Sequence, residues 1–151
     1  MATPVYDQAD HFLIPLLDGG FGLGQVLYPG VAVEEEGMYS APLCMFTGRR
    51  MTRDAACTPV SLSEVLAVEL VDPAPLRAGI WPVIGFEQLP PLRQADELRR
   101  LSDRDGGTAR VCDTGLIEAS VNACHGLYPW DGFGGNAVFD ALLRPGVARP
   151  V

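Results

Sequence analysis

A turn signal set between two apolar runs constrains this chain more than any other feature. Residues 11–17 are apolar apart from the leading His11, and Asp18-Gly19-Gly20 then supplies backbone that tolerates positive φ. After it, Phe21, Leu23, Gln25 and Leu27 alternate with Gly22, Gly24, Val26 and Tyr28, a period of two that predicts a β-hairpin. The run Gly19-Gly20-Phe21-Gly22-Leu23-Gly24 lacks the G-x-G-x-x-G spacing, and no G-K-[ST] follows. Its glycines therefore read as places of strong curvature or close backbone approach rather than as a phosphate loop. Similar punctuation recurs along the chain: 17 Gly and 13 Pro among 151 residues demand many turns and disfavour a mostly helical bundle. With 48% hydrophobic and 20% charged residues, a chain of this length is expected to fold as one domain, 1–151, around one core.

Beyond the hairpin, Pro29-Gly30 is expected to end the second strand and Glu34-Glu35-Glu36 to form a solvated loop or strand end. Tyr39–Thr47 reads as a third strand, 48–58 as a connector bearing Arg49, Arg50 and Arg53, and Val60–Val71 as a strand bounded by Asp72-Pro73. A short turn over 76–79 leads to the apolar run 80–86, where Pro82 points to an edge. Leu92, Ala95, Leu98 and Leu101 recur every three residues as in a surface helix, and 108–113 is a short strand. Asp113 or Thr114 caps a helix carrying Leu116, Ile117, Val121 and Cys124, stopped by Gly126; Asn136 caps a second one through Leu143. The pattern as a whole predicts an α+β fold: a curved, mainly antiparallel β-sheet or partly open small barrel of about five strands, covered by C-terminal helices. Phe12, Ile14, Leu16, Val26, Val68, Leu70, Trp81, Ile84, Ile117, Val121, Phe139 and Leu142 form its expected core.

Nineteen acidic against eleven basic residues, every one of the latter an arginine, give a formal net charge of -8. Long-range repulsion then disfavours nucleic acid and anionic membranes as partners and favours a basic one. Residues 1–10 carry Asp7 and Asp10 and no signal-peptide core, and the longest uncharged stretch, 19–33, is broken by glycines and Pro29. A cytoplasmic protein without a membrane span is expected. Cys44, Cys57, Cys112 and Cys124 contain no C-x-x-C pair, so reduced thiols and no metal or cofactor site are expected.

The tightest cluster of chemically capable groups is His125, Tyr128, Trp130 and Asp131. A small hydrolase would use His125 as general base and Asp131 as its orienting carboxylate, yet no serine lies in a G-x-S-x-G elbow and no cysteine has a catalytic setting. The competing account makes His125 a helix-terminal residue whose cationic form suits the dipole, with Tyr128 and Trp130 as amphipathic plugs. A small-ligand pocket between the sheet and the C-terminal helices is a further alternative. The favoured expectation is a binding protein rather than an enzyme.

Two stretches, 11–27 (HFLIPLLDGGFGLGQVL) and Gly79-Ile80-Trp81-Pro82-Val83-Ile84-Gly85, together resemble the immunity protein 26 family. Its members carry an apolar-Pro-Leu-x-Asp-Gly opening hairpin ending in Gly-Gln-Val, and later a Gly-x-Trp-Pro-(Val/Ile)-Ile-Gly strand. Gly126-Leu127-Tyr128-Pro129-Trp130-Asp131 is similar as well. Where the family opening starts with a Gly-Asp-like turn, this chain has Ala9-Asp10-His11. The resemblance implies a bacterial cytoplasmic protein that neutralises a cognate domain of a polymorphic toxin system by binding it, without catalysis. It transfers no contact residues. Charge alone nominates Glu34, Glu35 and Glu36 as the surface for a basic toxin domain.

Overall fold

The computed structural model describes residues 5–35 and 37–150. Strand β1 (Asp10–Pro15) and β2 (Phe21–Glu34) form the expected hairpin, its turn closed by Leu16 N–H donating to the Gly20 carbonyl at 2.9 Å, with Gly19 at φ +88°. β2 pairs with β3 (Met38–Met51), and β3 with β4 (Val65–Val71). Helical turn α1 (Ala74–Arg77) leads to β5 (Val83–Phe86), which returns to pair with β1. Helix α2 (Gln94–Arg104) precedes β6 (Val111–Cys112), which lies parallel to β4; α3 (Thr114–Cys124) and the short α4 (Ala137–Asp140) follow. The result is an α+β fold around an open, curved, mostly antiparallel sheet of order β5-β1-β2-β3-β4-β6.

Several boundaries differ from the sequence expectation. β2 does not stop at Pro29-Gly30: a register shift between Tyr28 and Val31 absorbs the proline, whose missing N–H is tolerated at such an irregularity. β3 runs on through Arg49 and Arg50. Leu62–Glu64 is a 3-10 turn rather than strand, its N-cap Ser61 closing a capping box in which Ser61 N–H donates to Glu64 Oε2 at 3.0 Å. The expected strands at 80–86 and 108–113 shrink to four and two residues, and residues 74–77 are helical. α3 is capped as expected by the Asp113 carboxylate, which accepts from Leu116 N–H at 3.1 Å. α4 ends at Asp140, and the Asn136 side chain makes no capping bond.

The core is double. On one face of the sheet Phe12, Ile14, Val26, Cys44 and Phe46 pack with Ile117 and Val121 of α3 and Phe139 of α4, while Trp81 stacks on Phe12 at 5.6 Å with the planes 8° apart. On the other face Leu13, Leu23, Leu43, Met45, Val68 and Leu70 meet Leu98 and Leu101 of α2. Both faces of the central strands are therefore dry, which is why they read as nearly continuous apolar runs, and the expectation of one core under C-terminal helices is corrected to two. Of the twelve expected core residues only Ile84, on edge strand β5, is merely half-buried. The hairpin glycines serve close approach: a Cβ at Gly24 would run into the Phe12 ring, and one at Gly22 would lie 2.7 Å from Val121 Cγ1.

Candidate functional site

The distal half of the β2–β3 hairpin extends past its neighbours. β1 reaches only as far as Gln25 and β4 only as far as Leu43, whereas Val31–Glu34 and Met38–Ala41 pair with each other beyond them. Glu34 is the exposed last residue of β2, and Glu35 opens the turn, its N–H donating to the Gly37 carbonyl at 3.0 Å with Gly37 at φ +117°. Glu35 then reaches back: its Oε1 accepts from Val111 N–H of β6 at 3.1 Å, tying the hairpin tip to the opposite end of the sheet. Glu36 lies outside the described residues.

Between the tip and the loops that follow β4 and α2 runs an open groove of about 990 Å³, walled by Glu34, Glu35, Tyr39, Asp72 and residues 108–111. Asp72 is held in place because its Oδ1 accepts from Ala74 N–H, two residues on, at 2.8 Å. Arg110 is the one cation among the described lining residues. The groove thus gathers carboxylate acceptors, those of Glu35 and Asp72 held by backbone N–H groups, chemistry suited to ammonium and guanidinium groups. Of its members, the sequence pointed to Glu34 and Glu35 through the charge run. Tyr39, Asp72 and Arg110 carried no local signal, since only the fold brings residues 39, 72 and 110 to one wall.

In the alternative cluster, no hydrogen bond or ion pair joins His125 to Asp131 among the described residues. His125 sits at the C-terminal end of α3, half-buried, with Nε2 lacking a hydrogen-bond partner among the described residues; the charges that act on it are Arg50 and Asp18. Burial first, and Arg50 second, hold its pKa below the ordinary value, which works against the dipole-stabilised imidazolium expected from its helix-terminal position. Asp131 is exposed, and its backbone carbonyl accepts from Gly134 and Gly135 N–H at 3.2 Å. Trp130 Nε1–H donates to Asp140 at 2.9 Å and its ring meets Phe139 edge-on, while Tyr128 packs on Phe133 and Phe139. The three arginines of residues 49–53 are separately engaged: Arg49 with Glu64, Arg50 with Asp18, and Arg53 over the Phe21 ring at 5.5 Å.

Among the described residues no three His, Cys, Asp or Glu side chains converge to hold a metal ion, and no helix is long and apolar enough to cross a membrane. The four thiols are unbridged; burial pushes Cys112 and Cys124 up to about 12 and Cys44 higher still. Comparison with protein-family models, with curated proteins and with solved structures finds no match to this chain.

Proposed function

We propose that this protein is an immunity-type inhibitor that binds a cognate, basic toxin domain in the bacterial cytoplasm and neutralises it by covering its surface. The observation that carries this reading is the groove beside the projecting β2–β3 hairpin, in which Glu34, Glu35 and Asp72 outnumber Arg110, the one cation among the described lining residues. The net charge of -8 acts in the same direction at long range, drawing in a basic partner and repelling nucleic acid. The motif resemblance of residues 11–27 and 79–85 to the immunity protein 26 family supports the same class of partner.

The test is binding and rescue with the toxin domain encoded beside this protein. A stoichiometric complex that abolishes toxicity is expected. Glu34→Gln, Glu35→Gln and Glu36→Gln together should slow association and flatten its salt dependence. Unchanged kinetics would remove the patch from the interface, and failure to bind any neighbouring toxin domain would remove the immunity reading itself.

A further inference from the structure

A second cavity, of about 330 Å³, lies where the end of β1 meets α3. Its walls are Pro15, Leu16 and Leu17 from the strand end and turn, Ala119 from the helix, and the Tyr128 ring. One buried side chain makes these walls a unit. Asn122 Oδ1 accepts from Leu17 N–H at 2.7 Å, while its Nδ2 donates to the Glu118 carbonyl at 2.9 Å and the Pro15 carbonyl at 3.5 Å. The amide of Asn122 is thereby committed to fixing turn against helix.

Glu118, which also lines the cavity, is different. Its carboxylate accepts no hydrogen bond and meets no cation among the described residues, although the residue is half-buried and burial alone raises its pKa. Glu69 and Glu97, the two carboxylates that are buried outright among the described residues, each have an arginine. A cation placed beside a partly desolvated carboxylate among apolar neighbours is held more strongly than one beside a fully solvated carboxylate. Above the cavity Leu17 stands 70% exposed, an apolar rim beside that single charge.

We propose that this cavity is a binding site for a primary alkylammonium group, the ammonium paired with Glu118 and the aliphatic stem lying against Leu16, Leu17, Ala119 and Tyr128. The volume is at the lower end of the roughly 300–1,000 Å³ usual for ligand sites, which suits a short linear stem. An anion is repelled, and a neutral apolar molecule would bury the carboxylate further without completing it. A guanidinium brings five N–H donors to a site with one uncommitted carboxylate, whereas an ammonium brings three, so fewer are left unsatisfied. The chain contains no lysine, so the ammonium comes from another molecule: a free alkylamine, or a lysine side chain of a partner protein. This site is independent of the acidic groove and of the toxin reading.

The experiment titrates the full chain with n-butylammonium and with Nα-acetyl-lysine-N-methylamide, following backbone amide resonances of Leu17, Glu118 and Ala119, with n-butanol and butyrate as uncharged and anionic controls. Saturable shifts with both amines and none with either control are expected. Glu118→Gln should weaken binding by about tenfold or more, the scale of a lost charge-assisted bond. Leu17→Ser, at an exposed position that does not threaten folding, should weaken binding through the stem while leaving the ammonium contact. Tighter binding of the capped lysine than of butylammonium assigns the site to a protein side chain; the reverse order assigns it to a free amine. Absence of saturable binding by both amines, equal binding of n-butanol, or undiminished affinity in a folded Glu118→Gln protein would overturn the proposal.

Discussion

His11 shows how much chemistry a single position can carry without advertising it. The imidazole is fully buried on the α2 side of the sheet, and neither nitrogen makes a well-formed hydrogen bond among the described residues; Gln25 Oε1 and Glu87 Oε2 nearby are likewise without partners. Burial, then the Arg49 cation, lower its pKa below 6.5, with Glu87 and Gln25 opposing more weakly. The unfolded chain therefore takes up this proton before the folded one does as pH falls. Stability associated with His11 is complete above about pH 6.5 and is lost as pH drops from there through the folded-state pKa. His125, lowered in the same direction, adds to the slope. Urea midpoints measured from about pH 7 to about pH 5 should fall, and His11→Gln should flatten that fall; an unchanged slope in the variant would remove His11 as its source. In the sequence this histidine was visible only as one of two imidazoles, because its burial follows from its pairing with Gln25 across β1 and β2 and with Gly85 across β1 and β5.

At the scale of elements, α2 is bound to the sheet by charge as much as by apolar packing. Glu69 of β4 is fully buried and takes a bidentate bond from Arg104 of α2, at 2.5 and 2.8 Å, while Glu97 of α2 holds both Arg100 and Arg144. Removing one partner of a buried pair costs about 3–5 kcal/mol because the other charge is left alone. Arg104 is a quarter exposed at its side chain, which puts Arg104→Ala at the lower end of that range. Leu101→Ala, emptying the apolar half of the same contact, should cost about 2–5 kcal/mol. Chemical denaturation reads both, and a loss below about 1 kcal/mol for Arg104→Ala would show that water replaces the arginine. The branched residues of Val65–Val71, bounded by Asp72-Pro73, made this strand legible, and the three-residue spacing of Leu92, Ala95, Leu98 and Leu101 made the helix legible. What joins them was not: a glutamate within a strand looks the same whether it faces solvent or an arginine 35 residues away. The same limit hid the second core, since which face a surface helix covers depends on the path of the chain after β5.

For the whole molecule, two electrostatic effects have to be separated: the field of a chain carrying -8 and the local chemistry of one groove. Field raises the rate of encounter with a basic partner and is screened by salt, while contacts made in the groove decide how long the complex lasts. Replacing Glu34, Glu35 and Glu36 with Gln changes the net charge from -8 to -5, that is by three charges, and so alters both effects at once. Replacing Asp54, Asp103 and Asp131 with Asn makes the same charge change at exposed positions that do not line the groove. Against the basic toxin domain proposed as its partner, both triple variants should associate severalfold more slowly at low salt and converge on the parent rate as salt rises. Only the glutamate variant should also dissociate faster at all salt concentrations, because it alone removes groove-lining carboxylates, Glu34 and Glu35, the latter held by the bond from Val111 N–H. Stopped-flow association and surface-capture dissociation measure the two rates independently. Identical dissociation in the two variants would show that the acidic balance steers the partner while another face of the protein holds it.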